Sequence, residues 1–406
     1  MQNRTTLLAI LAIGVLLFAG AFLWFKSSTG RSGKEQAAAF PQKWEFTAAG
    51  PISAALALAD DGTLYAASED GFLYALDSSG NLRWKFEAGP MAAAPVLGAD
   101  GTIYAATKDQ HIYAINPSGT QQWTAGGGPY ADRQAPWRGA AIDPNYFYTP
   151  WRGSLRAIRL TTGAFDWPTG MGFEEEGSVA ILPNGLLVYP GVGRLDAADS
   201  VGKTAWQYPV MNPPLTADIL TRNGGHPPKG NFWLDSGMAV GADGTFYAAA
   251  GGSRLVAITM DGTLKWEFKA KPLFPNRGGP VIAADGTIYF AGCGTLYAVN
   301  PDGSQKWALE GVRPIAATPV LAQDGTVYLL NDGAILAVSP EGKLLAKLPF
   351  NMGGKSSPTL APDGTLYAAS QSGKIIAFST THGPLMNSPW PKFQRDLANS
   401  GRSLPF

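Results

Sequence analysis

Residues 99–123 read ADGTIYAATKDQHIYAINPSGTQQW, and the fold turns on this stretch. Its Asp100-Gly101-Thr102 lies between two short apolar runs. Asp-Gly is a two-residue hairpin signal because glycine accepts the positive φ that other residues resist. Working outward, residues 95–99 read as one strand, 102–107 as a second and 111–116 as a third, with a turn at 108–110. A Pro-Ser-Gly turn then leads to a last strand around Trp123. The unit is a four-stranded antiparallel meander of roughly 40 residues, too small to bury both of its faces alone.

The unit recurs. Its second-strand aromatic, Tyr104, has counterparts at Tyr65, Tyr148, Val188, Tyr247, Tyr289, Tyr328 and Tyr367, with successive spacings of 39, 44, 40, 59, 42, 39 and 39. A period near 40 with four strands per unit is the signature of a β-propeller, whose blades bury their faces against each other around a central channel. Helical repeats of similar length are excluded by the Gly and Asp-Gly breaks and by the Val, Ile, Tyr and Thr content. The expectation is an all-β, eight-bladed propeller of four-stranded antiparallel blades, preceded by an N-terminal transmembrane helix.

Composition agrees with a repeat array. The 50 Gly and 31 Pro punctuate strands, and a hydrophobic fraction of 45% supplies the core. Net charge is zero and only 15% of residues are charged, so a general electrostatic grip on nucleic acid is not supported. Three His and one Cys exclude a Cys/His zinc cluster. Cys293, in a Gly-Cys-Gly sequence, reads as a small turn residue.

At the N-terminus, Arg4 precedes an uncharged run of 19 residues, 7–25. At about 1.5 Å per residue such a run just crosses a hydrocarbon core of about 30 Å. It ends in bulky Leu23-Trp24-Phe25, has no small-residue cleavage site close behind, and is not followed by a lipoprotein cysteine. The nearest small-residue run, Ala37-Ala38-Ala39, lies beyond a charged stretch. Residues 1–26 are therefore expected to be a retained signal anchor, 27–40 a polar linker and 41–406 the propeller. Lys26, Arg31 and Lys34 outnumber Arg4 with the α-amino group, which on charge alone opposes export.

Lys43-Trp44-Glu45-Phe46 matches the fourth-strand sequences Arg83-Trp84-Lys85-Phe86 and Lys265-Trp266-Glu267-Phe268, yet it precedes the first full unit. The eighth unit, conversely, lacks a fourth strand after residue 379. The N-terminal strand is thus expected to complete the last blade and close the ring. Trp84, Trp123, Trp167, Trp206, Trp266 and Trp307 each follow a turn glycine by four residues and read as plugs between blades. The seventh unit has Leu345-Ala346 instead, so its seam is expected to be less tightly locked.

The pattern DGT-(L/I)-Y-A-A…DG-x-(L/I)-Y-A-(L/I)-(D/N)-x-x-G-x-x-x-W resembles the PQQ-type β-propeller repeat over roughly residues 44–380. Quinoprotein dehydrogenases and the outer-membrane assembly factor BamB share that repeat, and the chain looks more like the latter. The segment Pro389-Trp390-Pro391-Lys392-Phe393, with Asp396, Asn399, Ser400 and Gly401, also resembles one found at a terminus of such proteins. The resemblance implies an extracytoplasmic protein, here at the inner membrane with a single span and a periplasmic propeller. In quinoprotein dehydrogenases it further implies a channel-bound quinone held against adjacent cysteines, a calcium ion and a catalytic Asp. This chain has a single Cys and no run of calcium ligands, and Asp61, Asp100, Asp243, Asp285, Asp324 and Asp363 each belong to an Asp-Gly turn. No cofactor, metal or catalytic residue is expected; a PQQ-dependent periplasmic oxidoreductase is the alternative.

Function is expected where the repeat breaks, in the connections between blades. The spacing of 59 places about 20 extra residues in 209–232, with Arg222 and His226, followed by Trp233. Residues 126–139 hold Trp137 and Arg138, and 171–177 hold Glu174-Glu175-Glu176, read as surface charge. Twelve residues before each marker aromatic lie Ser53, Ala92, Pro136, Glu176, Asp235, Arg277, Ala316 and Lys355, the positions expected to face the channel mouth. Charges of both signs there would orient a polar ligand or a partner's loop, or would pair with each other. The reading is a monomeric, non-catalytic binding scaffold that engages a protein or glycan of the cell envelope.

Overall fold

The structure, a computed structural model, describes residues 40–126, 139–151, 154–168, 177–191, 193–210, 237–250, 254–270, 278–292, 294–312, 317–331, 333–350, 356–396 and 399–403. Within residues 40–406, eight four-stranded antiparallel sheets follow one another. Seven use consecutive strands. In the unit quoted above these are Val96–Leu97, Ile103–Ala106, His111–Ile115 and Gln121–Gly126. The eighth sheet joins Thr359–Leu360, Thr365–Ala369 and Lys374–Ser379 to Gln42–Thr47, with Trp44 opposite Ala377. The marker residues hold one register in all eight, Tyr104 opposite Val96 and Val188 opposite Ala180 among them. The expected anchor lies outside the described residues, and no described helix is long and apolar enough to cross a membrane.

Middle strands are buried on both faces because each blade packs between two others. One apolar layer, for example, joins Tyr65, Leu73 and Ala75 of the first blade to Leu97, Ile103 and Ile115 of the second. Fourth strands form the rim and alternate between exposed and half-buried residues, as in Leu82–Glu87.

The Asp-Gly turn is longer than the expected two-residue hairpin. The Gly62 N–H donates to the Ala59 carbonyl, and the Ala59 N–H to Thr63, so residues 60–62 form a three-residue loop with Gly62 at φ 81°. Asp61 caps it by accepting from the Thr63 amide at 2.9 Å. Its other oxygen accepts from Arg83 of the fourth strand at 2.9 Å, and Arg83 also donates to the Thr63 hydroxyl at 2.6 Å. Hydrogen bonding from Thr63 and the nearby Arg83 hold the Asp61 carboxyl below its ordinary value. Lys43 with Asp363, Lys265 with Asp243, and Lys306 with Asp285 repeat this clamp. These carboxylates are occupied within their own blades.

Trp84, Trp123, Trp206, Trp266 and Trp307 are plugs between blades, as expected, each donating its indole N–H to a carbonyl of the next blade. Trp84 donates its indole N–H to the Pro117 carbonyl of the next blade at 3.0 Å, and its ring covers the turn glycine Gly119. A Cβ on Gly119 would lie 2.7 Å from that ring, so the plug and the glycine require each other. Trp44 does the same to Ser78 and Gly80, which carries the series across the closure. The seventh blade's seam is filled by other means. The eighth blade has no third-to-fourth turn to receive a tryptophan, since its third strand runs on into the C-terminal segment. Phe40 and His382, flanking the two outer strands of that blade, pack on Tyr328 instead, with ring centroids 5.7 and 5.8 Å away. The Tyr328 hydroxyl lies 2.5 Å from His382 Nδ1. The expected loose seam is therefore filled by an aromatic trio.

A chain starting at Gly50 loses Gln42–Thr47 and exposes Lys374–Ser379 as an open edge. It should melt well below a chain starting at Phe40; equal melting temperatures would refute closure by this strand.

Candidate functional site

The Asp-Gly turns and the third-to-fourth turns crowd one end of the ring, and the blade-to-blade connections the other. First strands, mostly of two residues, line the axis and leave carbonyls that no neighbouring strand satisfies.

The C-terminal segment, which enters the channel from the turn end, answers those carbonyls. It runs first along the seventh blade, where Gln323 donates to the Pro384 carbonyl and Met386 to that of Leu321. It then passes the sixth, where Ile282 donates to Trp390 at 2.8 Å, and Trp390 is wholly buried. The Gln394 carboxamide donates to the Ala140 and Val179 carbonyls of the third and fourth blades. The Asn399 carboxamide donates to Leu56 and Pro95 of the first and second, at 3.3 and 2.9 Å. These four carbonyls are equivalent, each one residue before its blade's first strand. The Phe393 ring packs on Ala54, Ala55 and Ala94 beside the axis. The segment thus runs from the turn end down the channel, antiparallel to the first strands at Leu385 and Trp390, reaches Phe393 beside Ala54 and Ala55, and returns parallel to them at Arg402.

Lys392 organises the crossing. Its ammonium is fully buried and donates to the Phe393 carbonyl at 3.1 Å, the Asp396 carbonyl at 2.9 Å and Asn399 Oδ1 at 2.6 Å. That bracket holds Gln394, Arg395 and Asn399 at φ 52°, 74° and 56°, a region that side chains other than glycine rarely enter. Burial pulls the Lys392 ammonium down to about 7, against the opposing pull of Asp396.

At the connection end the described polar groups pair with each other. Glu69 accepts from Ser53 Oγ at 2.5 Å and pairs with Lys108 at 2.6 Å, tying the first blade to the second. Asp70 accepts from the Ala49 and Gly50 amides and the Tyr74 hydroxyl. Burial and that carboxylate push Tyr74 up to about 12. Of the positions expected at the mouth, Ser53 and Ala92 are described. Arg138, Glu176, Asp235, Arg277 and Lys355 lie outside the described residues, as do Trp137, Arg222, His226 and Trp233.

Two features escaped the sequence reading. One is the crossing segment, whose polar side chains meet their acceptors only when the ring is assembled. The other is Asp196, fully buried on a third strand, whose carboxyl burial pushes up despite Arg194 Nε at 2.7 Å. Its signal was available, since most other blades place Tyr, Val, Leu or Ile at that register.

The sequence matches the family described as outer membrane protein assembly factor BamB over residues 31–182 and 190–397. Among solved structures, BamB from Moraxella catarrhalis has a TM-score of 0.67 at 16% identity, covering 84% of this chain and 99% of that one. The computationally designed Ika8 protein has a TM-score of 0.63 at 14% identity, covering 84% and 100%. Such identities speak for the fold alone. The uncharacterized protein YxaL of Bacillus subtilis (strain 168) is 48% identical over 48 residues, and the match spans 12% of its length.

Asn399→Ala strands two buried carbonyls and part of the Lys392 ammonium, and should cost about 2–4 kcal/mol by chemical denaturation. For Lys392 the sign follows from its depressed pKa. Between about pH 7 and 10 the unfolded chain holds the extra proton, so stability rises with pH. Lys392→Met should flatten the rise in melting temperature between pH 7 and 9.5; an unchanged slope would refute the assignment.

Proposed function

Because the chain belongs to the family of the outer membrane protein assembly factor BamB, we propose that it is a non-catalytic binding scaffold of the cell envelope, working through the face of its irregular connections. The observation that supports this reading most is the contrast between the two ends of the ring. At one end uniform turns spend their carboxylates inside their own blades, and the C-terminal segment enters the channel there. The other end is where the chain departs from its repeat, and loops on a rigid scaffold are the usual place for recognition. In this reading Glu176, Asp235, Arg277 and Lys355 edge the mouth, with Trp137, Arg138, Arg222, His226 and Trp233 on the connections around it. The partner is a protein, with a glycan as the second class. Residues 7–25 anchor a monomeric propeller at the inner membrane through the linker 27–40, with the propeller on the periplasmic side.

The test joins capture to stability. Arg277→Ala with Lys355→Ala should reduce crosslinking to the envelope partner in intact cells and leave the melting temperature nearly unchanged. A large loss of stability with crosslinking intact would assign these residues to structure. Digesting the adduct with protease or glycosidase separates a protein partner from a glycan. The purified protein should also lack a near-ultraviolet quinone band; finding that band would instead support the oxidoreductase.

For the anchor, the protein should fractionate with membranes, retain its N-terminus and be open to protease from the periplasmic side. Mature protein beginning near Phe40 would make residues 1–39 a cleaved signal.

A further inference from the structure

We propose that the C-terminal segment is the permanent occupant of the channel and stands where the quinone lies in the dehydrogenases that share this repeat, so that this chain takes no quinone there. Pyrroloquinoline quinone is a planar tricarboxylate. Held on the axis, it needs a flat space between the first strands, cations for its carboxylates, a calcium ion and the ring of adjacent cysteines beside it.

Polypeptide fills the axial space. On the way in, the segment follows the seventh and sixth blades, with Leu385 bridged to Ala322 and Trp390 to Ile282. Leu321 donates its amide to the Pro391 carbonyl at 2.9 Å, and Ser388 Oγ donates to the Ile282 carbonyl at 2.7 Å. On the way back, Ile142 of the third blade and Ile181 of the fourth donate to the Ser400 and Gly401 carbonyls, each at 2.9 Å. Between these two runs the Phe393 ring packs on Ala54, Ala55 and Ala94 of the first and second blades. It lies 3.9 Å from the place of a Cβ on Gly237 of the fifth. The segment therefore reaches the inner side of the first seven blades. Small residues make room for its turn: a Cβ on Gly139 would lie 2.4 Å from the Gln394 carboxamide nitrogen. Displacing this packing for a cofactor would strand the carbonyls and amides that it satisfies.

The segment also uses up the charge that a tricarboxylate would need. Lys392, wholly buried, gives its ammonium to three oxygens of the segment itself. Arg395, mostly buried, pairs with Asp396 at 2.9 Å. Asp396 in turn accepts from the Ser400 amide at 2.9 Å, so it serves as a turn cap. Among the described residues no three acidic, histidine or cysteine side chains come together as a metal ion would require. A single cysteine cannot form a ring with an adjacent one. Space, charge and covalent chemistry thus disagree with the cofactor at the same place.

Two measurements on the full chain test the proposal. In hydrogen exchange, the Met386 and Ser403 amides, which donate to first-strand carbonyls, should exchange as slowly as those of Ile181, Ile282 and Leu321. Exchange at the rate of an unstructured chain would mean that the segment leaves the channel, and would overturn its occupancy. In equilibrium dialysis against pyrroloquinoline quinone and calcium chloride, a quinoprotein dehydrogenase stripped of its cofactor is the positive control. At a free quinone concentration of about 100 μM, fewer than one chain in ten should hold it, which sets Kd above roughly 1 mM. Any higher retention would overturn the proposal. The crosslinking test of Arg277 and Lys355 reads the connections and not the axis, so each reading can fail without the other.

Discussion

A four-stranded sheet buried on both faces has no place to put them except against another sheet, and in this chain every structural decision follows from that constraint. Most middle strands are apolar on alternate and intervening residues alike, so no blade is stable as a separate unit. The series must end by meeting its own beginning. Pairing Gln42–Thr47 with Lys374–Ser379 does this with backbone hydrogen bonds, which removes two open edges at one stroke. The tryptophan plugs are a second, weaker lock that repeats at the rim. Half-buried, each contributes one indole hydrogen bond and the cover of one glycine, of the order of 1 kcal/mol for the hydrogen bond.

Closure by the N-terminal strand has a consequence that the repeat alone does not contain. The eighth blade takes its fourth strand from elsewhere, so its third strand continues into residues 380–396 instead of turning back. The absent turn accounts for both irregularities of the seventh seam, the missing tryptophan and the trio of Phe40, Tyr328 and His382 that replaces it. The freed segment crosses the axis and satisfies equivalent carbonyls of four blades with two carboxamides. One topological choice thus sets the seam and the filling of the channel together.

How much of this was legible follows from which interactions are local in sequence. The turns, the markers and the plugs recur within 40 residues of each other, and repetition exposes them even where Val188 replaces the usual tyrosine. Closure was legible too, because Trp44 carries the fourth-strand sequence out of its place. The crossing segment was visible as a family-like sequence, but its work was not. Asn399 bonds to residues 343 and 304 positions away, and no local spacing encodes such a contact. Lys392 reads as an ordinary surface lysine until the bracket of three oxygens around it is seen. Arg277 and Lys355 were assigned to the mouth from register alone, and they lie outside the described residues.

The same division bears on function. A repeat whose acids are committed to turn caps and lysine clamps has little freedom to evolve chemistry at those positions, because loss of Asp61 or its equivalents loosens the blade that holds them. Departures from the repeat are under no such restraint. Asp196 on a third strand and the long connection after Pro209 both stand where the repeating interactions make no demand. Asp196 is fully buried, and Arg194 Nε at 2.7 Å answers one of its oxygens, so a charge pair stands inside a blade where the repeat places an apolar side chain and where desolvation works against it.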